Sequence, residues 1–309
     1  MITVKEAIND FKEYMEKLKD GYSPGIITPF PLLNSQLMGG LPKNTVCCVA
    51  AHSGRGKTAF ALQLLMNAPV LNPNCEVLFF TLEMPARSLI ARTVSNKLKL
   101  TVKEIYNNKM DIDEDIFKEI ENLPVFFSET GGTPETIYNT ISNFCSTRGD
   151  KEVLVVLDHT LLVDGREDGE KIGKLSTIFN KLKLKHKNLT ILVLSQLNDA
   201  MLDNSRLDRK GVLLFPQYKD LYFGRQMWMM CDSIMVINNP SEYIEEHKGN
   251  DVKKKNKEYG GLPLRDNKGR PLLYLHFVKG RDTGTGIISF YNGLKYSELR
   301  EYKLETEPT

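Results

Sequence analysis

An apolar run at residues 45–50 leads directly into Ala51-His52-Ser53-Gly54-Arg55-Gly56-Lys57-Thr58, and a stretch with helical spacing, 59–67, follows. A strand that stops at a glycine-bearing turn and resumes as a helix places that turn at the edge of a sheet. There the backbone N–H groups of the turn and the helix N-terminus converge, an arrangement that suits a phosphate. In such a cradle Ser53, Gly54, Arg55, Gly56 and Ala59 contribute backbone, Lys57 reaches the terminal phosphates, and the Thr58 hydroxyl ligates Mg²⁺. The general pattern, GxxxxGK[ST], opens on a glycine where this chain has Ala51. A surface turn that merely contains Gly-Lys-Thr is the competing reading, and the strand and helix flanks weigh against it. The octapeptide points to a nucleoside triphosphate.

The chain has 309 residues, enough for one large domain or two modest ones. Hydrophobic content of 41% and charged content of 26% are ordinary for a globular protein. No apolar stretch reaches the ~18 residues of a membrane span. The N-terminal Met1-Ile2-Thr3-Val4-Lys5-Glu6 lacks a signal core, so a cytoplasmic location with no membrane partner is expected. Cys47, Cys48, Cys75, Cys145 and Cys231 are odd in number and lack CxxC spacing, which predicts buried reduced thiols. With a net charge of only +2, a DNA partner must be met by a local basic patch.

Residues 3–19 carry Val4, Ala7, Ile8, Phe11, Met15 and Leu18 on a helical stripe, and Gly21-Tyr22-Ser23-Pro24-Gly25 breaks it. Residues 1–25 therefore read as a helical arm, either separable or packed on its own domain, ahead of a domain spanning 26–309. Strands are predicted at 45–50, 76–81, 124–127, 153–157, 189–194, 233–237, 272–277 and 287–291. Helices are predicted at 58–67, 86–97, 113–123, 134–147 and 172–187. Val/Ile/Leu-rich strands alternating with helices mean an α/β fold with a mainly parallel sheet covered on both faces. The last strands lack helices between them and predict an antiparallel C-terminal extension. Residues 200–217 and 241–268 read as loops, with Lys253-Lys254-Lys255-Asn256-Lys257 as a solvated charge run or a DNA-contacting tract.

Three further strand ends carry chemistry. Val153-Leu154-Val155-Val156-Leu157-Asp158 ends an apolar run in a carboxylate that can hold a Mg²⁺ shell through water, though such aspartates also serve as plain caps. Val77-Leu78-Phe79-Phe80-Thr81-Leu82 ends in Glu83, a candidate to orient and deprotonate an attacking water, or else a helix-capping glutamate. Thr190-Ile191-Leu192-Val193-Leu194 delivers Ser195-Gln196-Leu197-Asn198, and an amide there can bond the γ-phosphate and release it on hydrolysis.

From these residues the chain resembles the RecA-like P-loop NTPase motor domain of DnaB-type hexameric replicative helicases. The likeness is carried by Thr28-Pro29-Phe30-Pro31-Leu32-Leu33-Asn34, Gly39-Gly40-Leu41, the cradle with its leading alanine, Thr81-Leu82-Glu83-Met84-Pro85, Leu157-Asp158 and Leu194-Ser195-Gln196-Leu197-Asn198. It covers nearly the whole chain. Phe277-Val278-Lys279-Gly280-Arg281-Asp282-Thr283-Gly284 matches the family's Lys-x-Arg-x-x-Gly pattern. By resemblance, Lys279 and Arg281 act in trans on the γ-phosphate of a neighbouring subunit. The resemblance also implies ATP and Mg²⁺, single-stranded DNA, a homo-oligomer in the form of a hexameric ring, a primase or helicase loader, and an arm packed on the adjacent subunit.

Two segments depart from the family. Ahead of the arm no counterpart of the family's collar domain is expected, which suggests a compact replication protein from a phage or mobile element, or one that recruits primase differently. Where the family reads Asp-Leu-Arg-Glu-Ser-Gly on single-stranded DNA, this chain has Asp220-Leu221-Tyr222-Phe223-Gly224-Arg225-Gln226. Tyr222 and Phe223 can stack on bases and Arg225 can take a phosphate, or the aromatics belong to the core beside Met227-Trp228-Met229-Met230. Arg166 is a second candidate DNA contact, and His159-Thr160-Leu161 replaces the family's aromatic-Leu-Gln. A helicase is the leading expectation. A recombination or repair ATPase without unwinding, and a nucleotide-gated assembly protein, are the alternatives.

Overall fold

Thr3 starts the first helix, α1 (Val4–Lys19), through a reciprocal box. Its hydroxyl accepts from the Glu6 N–H while the Glu6 carboxylate accepts from the Thr3 N–H, satisfying two donors the helix would otherwise leave open. The computed structural model describes residues 2–108, 111–164, 168–198, 214–241 and 258–303. None of the α1 residues is buried, and Ile8, Phe11 and Met15 stand exposed, so its apolar stripe has no cover within this chain's described residues.

After a ribbon of β1 (Gly25–Ile26) with β2 (Leu41–Pro42), which flanks α2 (Pro31–Gln36), the chain enters β3 (Val46–Ala51). It continues as α3 (Lys57–Leu71), β4 (Cys75–Thr81), α4 (Ala86–Leu98), α5 (Val102–Asn108), α6 (Glu114–Glu121), β5 (Val125–Ser128), α7 (Pro134–Ser146), β6 (Glu152–Asp158), α8 (Asp168–Lys185) and β7 (Leu189–Gln196). A short α9 (Gly224–Met230) precedes β8 (Ser233–Asn238). A second ribbon, β9 (Glu258–Tyr259) with β10 (Leu262–Pro263), precedes β11 (Leu272–Gly280), β12 (Gly286–Gly293) and β13 (Glu298–Tyr302).

The main sheet runs β13-β12-β11-β8-β3-β7-β6-β4-β5. From β8 to β5 the strands are parallel, and β11, β12 and β13 add on antiparallel, as the sequence pattern predicts. Alternate side chains of each strand enter opposite cores. Cys47, Val49 and Ala51 face one core with Phe60, Phe79 and Leu89, whereas Val46, Cys48 and Ala50 face the other with Ile141, Phe179 and Met227. In the first core Phe30 stacks on Phe60 at 5.1 Å and both meet the edge of Phe290, which fastens α2, α3 and β12 together. All five cysteines are free and buried. Among the described residues no helix is long and apolar enough to cross a membrane.

A third, smaller core at the antiparallel edge contains a polar chain. Asn238 Nδ2 donates to the Tyr259 hydroxyl at 2.9 Å, and the same hydroxyl is hydrogen-bonded to His276 Nε2 at 3.0 Å. Burial pushes the His276 pKa down to about 3, against 6.5 for the free side chain. The unfolded chain takes up a proton as pH falls through 6.5 and the folded chain refuses it until about 3. Stability is therefore level above that window and lost within it as pH falls, by at most ~1.4 kcal/mol per pH unit from this group. Urea midpoints measured from pH 7 down to pH 4.5 are expected to decline, and His276→Gln is expected to flatten the decline.

Candidate functional site

β7 and β8 flank β3, so the chain changes sides of the sheet at β3, and the C-terminal strand ends there open a crevice. Ala51 explains its own departure from the glycine pattern: it is still part of β3, paired with Gln196 and fully buried, and needs no special backbone. Gly54 and Gly56 do. Their φ angles are +72° and +98°, and a Cβ on Gly56 would lie 2.8 Å from the Leu294 side chain. Gly56 caps α3, and the first internal bond is Phe60 N–H to Gly56 O at 2.8 Å. The N–H groups of Lys57, Thr58 and Ala59 thus lack an intrahelical acceptor and remain for a ligand.

The cleft over this turn is small, about 160 Å³, and is lined by Ser53, Gly54, Gly56, Lys57, Thr58 and Ala59 with Glu83, Met84, Arg92 and Leu294. Arg55 does not line it; its N–H bonds the His52 carbonyl within the turn. A larger hollow of about 780 Å³ lies between α7 and α8 and shares no lining residue with the cleft. Size does not select the site here. A phosphate needs converging donors more than volume, and those are at the turn.

Asp158 is almost wholly buried at the end of β6. Its Oδ2 accepts from the Thr58 hydroxyl at 2.9 Å and its Oδ1 has no hydrogen bond, only the Lys57 ammonium at 3.8 Å. Burial pushes its carboxyl above the ordinary range, the Lys57 charge and the Thr58 hydroxyl oppose that, and Glu83 adds to it. An underbonded buried carboxylate beside a threonine hydroxyl suits a hard cation that keeps waters and phosphate oxygens in its shell. Thr58 and Asp158 therefore fit Mg²⁺. No cluster of three or more His, Cys, Asp or Glu able to cage a metal occurs among the described residues.

Beside Asp158 comes His159, also buried, between Gln196 from β7 and Glu83 beyond β4. Its Nε2 lies 3.3 Å from Gln196 Nε2 and 3.8 Å from Glu83 Oε2. Burial and then the Lys57 ammonium push its pKa down to about 4, with Glu83 opposing, so the ring is neutral at pH 7. Glu83 is 41% exposed on the cleft and makes no closer contact among the described residues.

Lys279 and Arg281 lie elsewhere. β11 runs antiparallel to β8, so Gly280 pairs with Ser233, and Ser233 is level with Cys47 at the start of β3. Arg281 is salt-bridged to Asp232 at 2.8 Å, and the Asp232 carboxylate also accepts from Lys183 and the Val46 N–H. Burial alone would raise the Asp232 carboxyl, but Lys183, the Val46 amide and Arg281 outweigh it and hold it below the usual carboxylate range. Five strand residues, roughly 17 Å, separate Val46 from Ala51. Arg281 therefore cannot reach the phosphate cradle of its own chain. Its side chain is 64% exposed. Lys279 is engaged by α9: its ammonium donates to the carbonyls of Trp228 and Cys231, both at 2.6 Å, and lies over the Trp228 ring.

In the altered segment, the Tyr222 N–H bonds the Gln196 carbonyl at 3.0 Å, and Asn198 N–H bonds the Asp220 carbonyl at 2.8 Å. Tyr222 is exposed and so is Arg225, while Phe223 is half-buried against the core. Arg166 and the run Lys253-Lys254-Lys255-Asn256-Lys257 fall outside the described residues. Sequence inspection did not single out Arg92 or His159 as site residues. Arg92 comes from the middle of α4 with no motif to mark it, and His159 registered only as a departure from a pattern.

Cradle, strand-end carboxylate and sheet order define a RecA-like P-loop nucleotide-binding core. The chain belongs to the family described as the DnaB-like helicase C terminal domain, whose model matches residues 25–282. It is 26% identical to the replicative DNA helicase DnaB of Haemophilus influenzae over 286 residues, covering 86% of this chain and 59% of that protein. It is 28% identical to a probable replicative DNA helicase of Guillardia theta over 204 residues, covering 63% of this chain and 33% of that protein. The chain thus spans only part of the length of these relatives. A solved structure, the ATPase domain of G40P, superposes with a TM-score of 0.77 at 20% identity, over 97% of this chain and 99% of that one, a likeness of fold.

Proposed function

We propose that this chain is the ATP-hydrolysing motor of a ring-forming replicative DNA helicase, with each active site shared between two subunits. The observation that carries this reading is the placement of Arg281: exposed, held by Asp232, and at the opposite end of β3 from the chain's own cradle. One subunit supplies the cradle and the next supplies the guanidinium, a head-to-tail contact that closes into a ring if the rotation permits. The uncovered apolar stripe of α1, with residues 1–25 acting as an arm apart from the 26–309 motor, suits a second contact of the same kind.

In this reading the amides of the turn and of the first turn of α3 bind the phosphates, and Lys57 compensates their terminal charge. Thr58 and Asp158 hold Mg²⁺, which would withdraw charge from the phosphate oxygens. Glu83, on the cleft, orients and deprotonates the attacking water. Gln196 senses the γ-phosphate, and its carbonyl bond to Tyr222 passes any shift to the segment that faces DNA. Tyr222 and Arg225 contact single-stranded DNA, whereas Phe223 anchors that segment on the core. Arg281 acts in trans, and Lys279, held on α9, braces its strand.

ATPase activity is expected to rise on adding single-stranded DNA, with the stimulation falling as salt increases, and a forked duplex is expected to be separated. Hydrolysis without strand separation would favour a recombination or repair ATPase. Failure to bind single strands at low salt would favour a nucleotide-gated assembly protein.

A further inference from the structure

β7, β6 and β4 lie side by side, and their C-terminal ends carry Gln196, His159 and Glu83 in that spatial order. The outer two are the sensor and the water-activating group of the proposed ATPase. Each has few other anchors: Glu83 is 41% exposed, and the Gln196 amide meets only His159 among the described residues. The middle residue is buried at 4% exposure and so has a fixed ring.

We propose that His159 is a positioning residue that couples the Gln196 sensor to the Glu83 carboxylate through its Nε2. The assignment rests on the ATPase reading of this site. Both groups face that one nitrogen: the Gln196 amide at 3.3 Å, within hydrogen-bond range, and Glu83 Oε2 at 3.8 Å, just beyond it. A nitrogen of a neutral imidazole either accepts or donates, so it serves one of these partners fully at a time. While it accepts from the Gln196 amide, it holds that amide back from the cradle and offers Glu83 no proton, leaving the carboxylate turned to the cleft. When Gln196 swings to a γ-phosphate, the nitrogen loses that partner and the surroundings of Glu83 change with it. Sensing and water activation are thereby linked inside one subunit, through a ring that does not touch the nucleotide.

His159→Phe keeps a ring of similar size and removes both nitrogens; His159→Gln returns an amide near the position of Nε2. In steady-state ATPase assays with single-stranded DNA, His159→Phe is expected to lower kcat about tenfold. KM for ATP should stay within about twofold, because the cradle is intact. His159→Gln should recover much of the rate. Adding Gln196→Ala to His159→Phe should cost far less than Gln196→Ala alone, the mark of two residues acting through one contact. Wild-type kcat in His159→Phe, or fully additive losses in the double variant, overturns the coupling. So does a parallel loss in both His159 variants with raised KM and lowered Tm, which would mark a packing role. A wild-type chain that hydrolyses no ATP instead overturns the function from which the coupling follows, and that rate is measured first.

Discussion

Arg281→Ala is expected to lower the ATPase rate of the assembled protein by about a thousandfold or more while leaving nucleotide affinity of the single chain intact. A guanidinium delivered across an interface contributes on that scale to phosphoryl transfer, and Arg281 cannot reach its own cradle because β11 delivers it to the Asp232 end of the sheet. Fluorescent-nucleotide titration and steady-state ATPase assays separate the two effects. The chain should still fold, since the side chain is 64% exposed and Asp232 keeps Lys183 and the Val46 amide. An Arg281→Ala chain that hydrolyses ATP at the wild-type rate would remove the shared-site reading.

Lys57→Ala is expected to fall by about three orders of magnitude as well, but with nucleotide affinity lost alongside the rate. Lys57 is buried and is the nearest cation to the unpaired Oδ1 of Asp158. Its removal leaves that carboxylate uncompensated, so a lowered Tm, restored in part by Mg²⁺, is expected in a thermal melt. Mixing the two variants gives the sharper result. An interface that joins the cradle of an Arg281→Ala subunit to the Arg281 of a Lys57→Ala subunit is intact, so the mixture should regain activity that neither variant has alone. No recovery after subunit exchange would place both residues in one subunit's site.

Much of this was legible along the chain. The cradle, Asp158, Glu83 and Gln196 each end an apolar run, and a run that fills a buried strand announces where the strand stops. The parallel sheet and its antiparallel extension follow from the same runs. What escaped has little apolar signal. β13 buries only Leu299 among Glu298, Arg300, Glu301 and Tyr302, and pairs at the edge of the sheet. α9 is seven residues long, opens on Gly224 after a left-handed Phe223, and exposes Trp228 and Met229. Strand β7 continues through Ser195 and Gln196, polar residues whose inclusion depends on pairing with Ala50 and Ala51.

By itself, then, the sequence determined the strand–turn–helix cradle, the class of sheet and which polar groups stand at its strand ends, because these depend on residues adjacent in the chain. Only the tertiary structure decided which of those groups share a site. Sheet order put His159 between Gln196 and Glu83, and α4 brought Arg92 to the cleft. The antiparallel pairing of β11 with β8 carried Lys279 and Arg281 to the far end of β3. Strand order and direction are set by how two cores pack against one sheet, and no local pattern contains that information.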